Sequence, residues 1–565
     1  MPDNMPNDQS YLCGQATEPL LYETIGDCLD RIAGSHPDHP ALVVCQQTIR
    51  WTYAQYKERV DALAAGLLAI GINPGDRVGI WSPNRVEWCL TQFATAKIGA
   101  IMVCINPAYR AYELEYALNK VECRAVITAE SFKTSEYLQM LQVLAPELNH
   151  CAPGELAASK VPHLRSIVRM GREQTPGMFN FDAVCALGGP AQVQRMAEIR
   201  TTLQPDDAIN IQFTSGTTGN PKGATLSHFN ILNNGLQVGA GMRFDASDRL
   251  CIPVPLYHCF GMVMGNLACL THAACAVFPD EGFDPETVLR AVAQEKCTAL
   301  HGVPAMFVAA TELPNIGDYD LSSLRTGVMA GAPCPLELMH QVIDKLHMSE
   351  ITIMYGQTET SPVNHMTAID APAEKRCGTV GRVGPYQEIK IIDEAGRMVP
   401  IGATGELCCR GYSVMRGYWN DEQRTRETID ASGWLHSGDL AEMDAEGYVQ
   451  IVGRIKDMII RGGENVYPRE IEEFLYTHPD ILEAQVFGIA DEKYGEIVCA
   501  WVQQRAGADL TEADIKAFCK DQITHFKVPS AVRFVDEFPM TVTGKIQKFK
   551  MRDAMIEQLA RAQES

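Results

Sequence analysis

Positive charge is scarce in this chain. Its 565 residues carry 48 Lys and Arg against 70 Asp and Glu, a formal charge of -22. Such a surplus repels nucleic-acid phosphates and anionic lipid, which argues against a nucleic-acid partner. The first basic residue is Arg31, and Asp3, Asp8 and Glu18 precede it. A secretory signal needs an early positive charge and a transit peptide is Arg-rich and acid-poor, so the cytoplasm is the expected location. Long apolar runs are missing too. The uncharged stretch from Leu250 to Pro279 is interrupted by Pro253, Pro255, His258, Asn266 and His272, so buried loop, helix and strand fit it better than a transmembrane helix. No pair of C-x-x-C motifs occurs among the 19 cysteines, and adjacent Cys408 and Cys409 are poorly placed for a structural zinc site. Reduced, mostly buried thiols and no bound transition metal are expected. Internal repeats and low-complexity segments are absent.

What is present is an α/β text too long for one core. Ala41–Val44, Val78–Trp81, Ile101–Ile105 and Ala125–Ile127 read as buried strands. Between the first two, Thr52 and Gln55 form a capping box, Val60, Leu63, Ala64 and Leu67 share a helical face, and Gly71 closes the helix. A second set follows at Ile209–Phe213, Ala274–Phe278, Thr298–Val303, Gly327–Ala330 and Ile351–Tyr355, which gives two stacked α/β lobes. From Gly378 to Gly453 short strands punctuated by glycine predict a β-rich unit. Beyond Lys456, helices at Arg469–Tyr476 and Glu512–Gln522 with strands at Ala484–Ile489 and Val498–Val502 predict a small α+β domain. The expected division is an N-terminal domain over 1–455 and a C-terminal domain over 456–565.

The densest chemical signal is Thr214-Ser215-Gly216-Thr217-Thr218-Gly219-Asn220-Pro221-Lys222-Gly223, directly after a predicted strand. Hydroxyls and unhindered backbone N–H groups make an anion cradle, and Lys222 adds a point charge. This is a phosphate loop of another kind than Walker A, which requires glycine where Pro221 stands and a hydroxyl where Gly223 stands.

That decapeptide resembles the signature of the adenylate-forming enzymes: acyl-CoA synthetases, peptide-synthetase adenylation domains and beetle luciferases. Further motifs of the family follow in order. Tyr355-Gly356-Gln357-Thr358-Glu359 resembles its second nucleotide motif, Gly433-Trp434-Leu435-His436-Ser437-Gly438-Asp439 the third, Gly453-Arg454-Ile455-Lys456-Asp457 the hinge, and Thr543-Gly544-Lys545-Ile546 the C-terminal lysine motif. The resemblance spans essentially the whole chain and implies ATP, magnesium and CoA as the reaction's small molecules, with a mobile C-terminal domain turning at Lys456. It makes Lys545, Glu359 and Thr214 the catalytic set, with Glu359 associated with magnesium and Thr358 contacting phosphate.

The remaining assignments rest on the same resemblance, and each makes chemical sense. Joining a carboxylate to the α-phosphate brings two anions together, so cationic and N–H donors are needed. Asp439 is an acceptor suited to ribose hydroxyls, and Arg454 a donor fork near the ribose and α-phosphate. Gly331-Ala332-Pro333 resembles the adenine-binding turn. Tyr355 either stacks on the base or belongs to the core. His258 either lines the carboxylate pocket or satisfies backbone. Phe260, Met262, Val263 and Met264 line an acyl tunnel or fill the core. Lys545 can reach both carboxylate and phosphate and be withdrawn when its domain moves.

No carrier-protein module follows the lysine motif, which favours a free acceptor. Ile460-Arg461-Gly462-Gly463-Glu464-Asn465 is similar to the loop lining the pantetheine tunnel of acyl-CoA synthetases. Lys516–Lys520 and His525–Pro529 look like the C-terminal domain of fatty acyl-CoA ligases, medium-chain enzymes first and long-chain ones close behind. An aryl or branched-acid CoA ligase and a luciferase-like oxygenase are the alternatives.

Overall fold

Local signals explain the elements well. Thr52 Oγ1 accepts from the Gln55 N–H at 3.3 Å while Gln55 Oε1 accepts from the Thr52 N–H at 3.0 Å, and this box opens the helix Tyr53–Ala69. Val60, Leu63, Ala64 and Leu67 are all fully buried on its inner face. At the far end Gly71 takes φ +87°. Its N–H donates to Leu68 O at 3.1 Å and that of Ile72 to Leu67 O at 3.0 Å, the paired bonds that stop a helix at a left-handed residue.

The computed structural model describes residues 8–16, 19–214, 221–462, 464–491, 494–520, 522–540 and 546–564. The chain divides into two compact units. The larger comprises Cys13–Glu388 and Cys409–Leu435; the smaller comprises Met1–Leu12, Ile389–Cys408 and His436–Ser565. The sequence reading instead drew one boundary at 455/456.

The larger unit holds two sheets among its described residues. The eight-stranded one runs Gly417–Tyr418, Lys222–Ser227, Ala208–Thr214, Ile101–Cys104, Arg77–Trp81, Ala125–Thr128, Ser166–Arg169, Phe179–Asn180. The nine-stranded one runs Arg382–Val383, Val363–Met366, Glu350–Gly356, Thr326–Ala330, Ala299–Gly302, Arg249–Cys251, Cys275–Phe278, Pro40–Val44, Ile49–Thr52. Strands at the middle of both are parallel, and their near-continuous apolar sequences match burial on both faces.

Two strands lie in the opposite lobe from the one in which the sequence grouped them. Pro40–Val44 pairs with Cys275–Phe278, and Ala208–Thr214 pairs with Ile101–Cys104. A short apolar run specifies a buried strand, but its sheet is fixed only by long-range pairing. The stretch from Leu250 onward forms strand Arg249–Cys251, a helical run Cys259–Thr271 with a π turn at Met262–Leu267, and strand Cys275–Phe278. Phe260, Met262, Val263 and Met264 are buried in the main core cluster. Among the described residues no helix is long and apolar enough to cross a membrane.

Gln387–Ile392, Gly405–Gly411, Leu435–Met443 and Val449–Arg454, most of whose residues belong to the smaller unit, build the β-rich segment, with the unforeseen strand Tyr11–Cys13 at its edge. A second sheet contains Ile459–Arg461, Glu464–Val466, Ile481–Asp491, Gly495–Gln504 and Ala531–Phe534. Helices Pro468–Leu475 and Glu512–Cys519 accompany it, and Ile471, Leu475, Val486, Val498 and Ile515 share its core.

Candidate active site

Thr214 ends the strand Ala208–Thr214, and Lys222 begins the next strand directly opposite it in antiparallel register. The two described ends of the expected phosphate loop thus belong to paired strands. Ser215, Gly216, Thr217, Thr218, Gly219 and Asn220 lie outside the described residues. Pro221 is described, and its carbonyl accepts from the Tyr116 hydroxyl at 3.1 Å.

Glu359, far along the chain, arrives at the same place. Its Oε1 accepts from Thr214 Oγ1 at 3.4 Å and from the Tyr418 hydroxyl at 2.7 Å. Lys222 Nζ lies 4.6 Å above the Tyr418 ring centroid and 3.5 Å from its oxygen. Burial and then the Glu359 charge push the Tyr418 phenol well above its ordinary range, so it remains a protonated donor. Sequence reasoning missed Tyr418, since nothing local marks a tyrosine 59 residues from the carboxylate it serves.

Thr358 is buried and Glu359 half-buried in the 3-10 turn Thr358–Thr360. Gln357 donates its N–H to Thr360 Oγ1 at 3.0 Å. Gly356 is required sterically, because a Cβ there would sit 1.8 Å from the Pro362 carbonyl oxygen.

Gly331, Ala332 and Pro333 form an exposed turn after strand Thr326–Ala330. Gly331 has φ +91°. Ala330 is the register partner of Met354, so this turn and half-buried Tyr355 leave the carboxyl ends of neighbouring parallel strands, where open α/β sheets bind ligands. Tyr355 meets His365 edge-on at 5.7 Å; burial lowers the His365 pKa to about 3, so the supporting ring is neutral.

His258 caps the helical run at Cys259, its Nδ1 accepting from the Phe260 N–H at 3.2 Å. That bond assigns the ring proton to Nε2. The next residue ties this helix start to the phosphate-loop strand: the Cys259 thiol donates to Gln212 Oε1 at 3.1 Å, and Gln212 Nε2 donates to Met262 Sδ at 3.7 Å. His258 thus serves the backbone through one nitrogen and is fixed relative to Thr214 through a buried relay.

In the smaller unit, Asp439 and Arg454 are register partners on strands Leu435–Met443 and Val449–Arg454. Arg454 Nε donates to Asp439 Oδ1 at 2.9 Å, and the carboxylate is buried. Two residues separated by 15 positions become one ion pair. Lys456 is exposed in the turn Ile455–Asp457, inside the compact smaller unit. Its neighbour Asp457 is bound by Arg552 at 2.9 Å. Burial raises the Asp457 pKa, but the Arg552 hydrogen bond and the Lys548 and Arg552 charges outweigh this and leave it below the ordinary carboxylate value.

Gly462 is exposed with φ +63°, and among the described residues nothing beyond its own chain neighbours stands within 4 Å of where its Cβ would be. Its N–H donates to Tyr494 O at 2.7 Å. Gly463 and Lys545 lie outside the described residues.

The AMP-binding enzyme family matches residues 29–419, and the AMP-binding enzyme C-terminal domain matches 470–545. The chain belongs to the AMP-binding enzyme family. The putative acyl-CoA synthetase YngI of Bacillus subtilis (strain 168) is 46% identical over 539 residues, covering 95% of this chain and 98% of that protein. The mitochondrial medium-chain acyl-CoA ligase ACSF2 of Danio rerio is 45% identical over 566 residues, covering 99% and 93%. Among solved structures, the anthranilate CoA ligase AuaEII in complex with anthranoyl-AMP superposes with a TM-score of 0.83 at 27% identity, covering 96% of this chain and 99% of that one.

Proposed function

We propose that the chain is a medium-chain fatty acyl-CoA synthetase in which Thr214, Lys222 and Glu359 handle the phosphates of ATP and Asp439 and Arg454 its ribose and α-phosphate. The chain is an ATP-dependent, AMP-forming acid–CoA ligase, as its family and full-length acyl-CoA synthetase relatives require. Fatty substrates of medium length are the finer reading, supported by likeness to ACSF2 along nearly the whole chain. The observation that carries the site assignment is the meeting of Thr214, Lys222, Tyr418 and Glu359 beside the phosphate loop.

In the first half-reaction a carboxylate oxygen attacks the α-phosphorus, a P–O bond forms, and pyrophosphate leaves with the electron pair of the broken α–β bond. Lys222 and the Thr214 hydroxyl hold phosphate oxygens, and Tyr418 fixes the Glu359 carboxylate by donating to it. Oxygens of Glu359 and Thr214 only 3.4 Å apart are the hard donors magnesium favours; bound there, the ion supplies charge neutralisation. Lys545, carried in the lysine motif, adds a cation toward the carboxylate and α-phosphate. In the second half-reaction the CoA thiolate attacks the acyl carbonyl and AMP leaves, with Gly462 and Gly463 admitting the pantetheine arm and Lys456 as the turning point between the two arrangements. A cytoplasmic location belongs to the same proposal.

The test is pyrophosphate release and thioester formation with straight-chain acids of graded length, anthranilate and a branched acid. A specificity maximum at medium straight chains is expected. A maximum at the aryl acid would replace the substrate reading, and oxygen consumption without thioester would replace CoA as acceptor.

A further inference from the structure

Strand pairing in the smaller unit assembles a donor set that the nucleotide reading does not use. Strands Gly405–Gly411 and Leu435–Met443 are hydrogen-bonded neighbours. Side chains two apart on a strand share a face, so Glu406 and Cys408 stand together, and His436 joins them from the next strand. His436 Nδ1 is 2.8 Å from Glu406 Oε2 and 3.6 Å from Cys408 Sγ. One ligand atom from each of the three residues lies within 4.8 Å of the others.

We propose that Glu406, Cys408 and His436 bind a divalent transition metal of the zinc class. With Zn–S about 2.3 Å and Zn–N about 2.0–2.1 Å, tetrahedral angles place sulfur and nitrogen about 3.6 Å apart. The observed separation of Cys408 Sγ and His436 Nδ1 is 3.6 Å. Tetrahedral nitrogen and oxygen ligands stand about 3.3 Å apart, so the Glu406–His436 contact widens by roughly 0.5 Å on loading. Thiolate, imidazole and carboxylate together select zinc-class ions over magnesium or calcium, which take oxygen ligands.

The surroundings support the set. The Gly438 N–H donates to Glu406 Oε1 at 3.1 Å, which fixes the carboxylate with Oε2 toward the histidine, a backbone contact of the kind that orients metal ligands. Cys408 is fully buried, while Glu406 and His436 side chains are 19% and 31% exposed, giving an ion entry from their side. In the metal-free arrangement the carboxylate can only accept, so Nδ1 carries the ring proton. On coordination the Cys408 thiol releases its proton to solvent, and the Nδ1 proton is released as Nε2 takes one up. Three protein ligands leave a fourth position for water. The sequence reading weighed only adjacent Cys408 and Cys409, which alternate to opposite faces of the strand; Glu406 and His436 are 30 positions apart.

Chelator-treated full-length protein titrated with Zn²⁺ and with Co²⁺ tests this. One tight equivalent is expected, with a thiolate-to-cobalt charge-transfer band in the near ultraviolet. Replacing a group that only orients a ligand costs about 10- to 100-fold in affinity, so Cys408→Ser should lose at least that and abolish the band. Cys13→Ser, which removes an exposed thiol, should change neither. Unchanged zinc affinity in Cys408→Ser, or a cobalt spectrum without the thiolate band, overturns the proposal. If Cys408→Ser fails to fold by circular dichroism, Glu406→Gln decides: affinity at least tenfold weaker supports the site, and unchanged affinity overturns it.

Discussion

The two compact units hold their candidate site residues by different means. In the larger, Thr214, Tyr355 and the turn at Gly331 sit at ends of strands whose interiors are almost wholly buried. Packing sets their positions before any ligand arrives. In the smaller, Asp439, Lys456 and Gly462 lie on or beside antiparallel strands and turns, and charge does much of the fixing: Arg454 on Asp439, Arg552 on Asp457, Lys548 on Glu472. A packed site resists salt and pH, whereas an ion-paired one can exchange its internal partner for a ligand's charge or hydroxyl. For the proposed function, the first suits a fixed phosphate cradle and the second a set of side chains that binds and releases its ligand.

The sharpest way to break this contrast is Lys545→Ala. Losing one transition-state donor costs about 10²- to 10³-fold, and adenylation measured by pyrophosphate exchange should fall by at least that. The same variant, given preformed acyl-adenylate and CoA, should form thioester at near the normal rate. Equal damage to both half-reactions, with the fold intact, would remove the proposal that the two half-reactions use two different arrangements.

Asp439→Ala comes next. It removes the acceptor that the proposed function gives the ribose hydroxyls and leaves Arg454 without this partner, and ATP binding should weaken by about 1.5–3 kcal/mol. Calorimetry giving unchanged affinity would make the ion pair purely structural.

Tyr418→Phe probes the packed side. A hydrogen bond to a charged group is worth about 1.5 kcal/mol or more, so kcat/KM for adenylation should drop about tenfold while thermal stability changes little. A loss confined to stability would mean that Tyr418 supports the strand and not Glu359.

The smallest effect is expected from Asp457→Asn. Because the Asp457 carboxyl is held below its ordinary value, its charge stabilises the folded state above the unfolded-state pKa, and that contribution is lost as pH falls through the lower folded value. Wild type should therefore exceed Asp457→Asn in stability at neutral pH, by about 1 kcal/mol or less for a partly exposed pair. The gap should close in acid. A gap that persists at low pH would assign the difference to shape rather than charge.

Sequence alone revealed whatever is local. The Thr52–Gln55 box, the stop at Gly71 and the buried strands follow from neighbours within a few residues. The segment Thr214–Gly223 and the Tyr355–Glu359 motif could be singled out because their residues are written contiguously, and the structure brings Thr214, Lys222 and Glu359 together. The lobe of Pro40–Val44 was hidden, since both Leu42 and Val43 are buried, in different clusters, and an apolar run buried on both faces carries no mark of its sheet. Tyr418, the Asp439–Arg454 ion pair and the Glu406–Cys408–His436 set arise only when distant strands pair.

The opposed Thr214 and Lys222 have a consequence for engineering. Cα atoms paired across an antiparallel ladder stand about 4.5–5.5 Å apart, so the ladder itself closes the intervening loop. The closure cost then varies only with the logarithm of loop length. Substitutions between these two residues should alter catalysis far more than melting temperature, which makes the segment a place where a randomised library can explore chemistry at nearly constant stability.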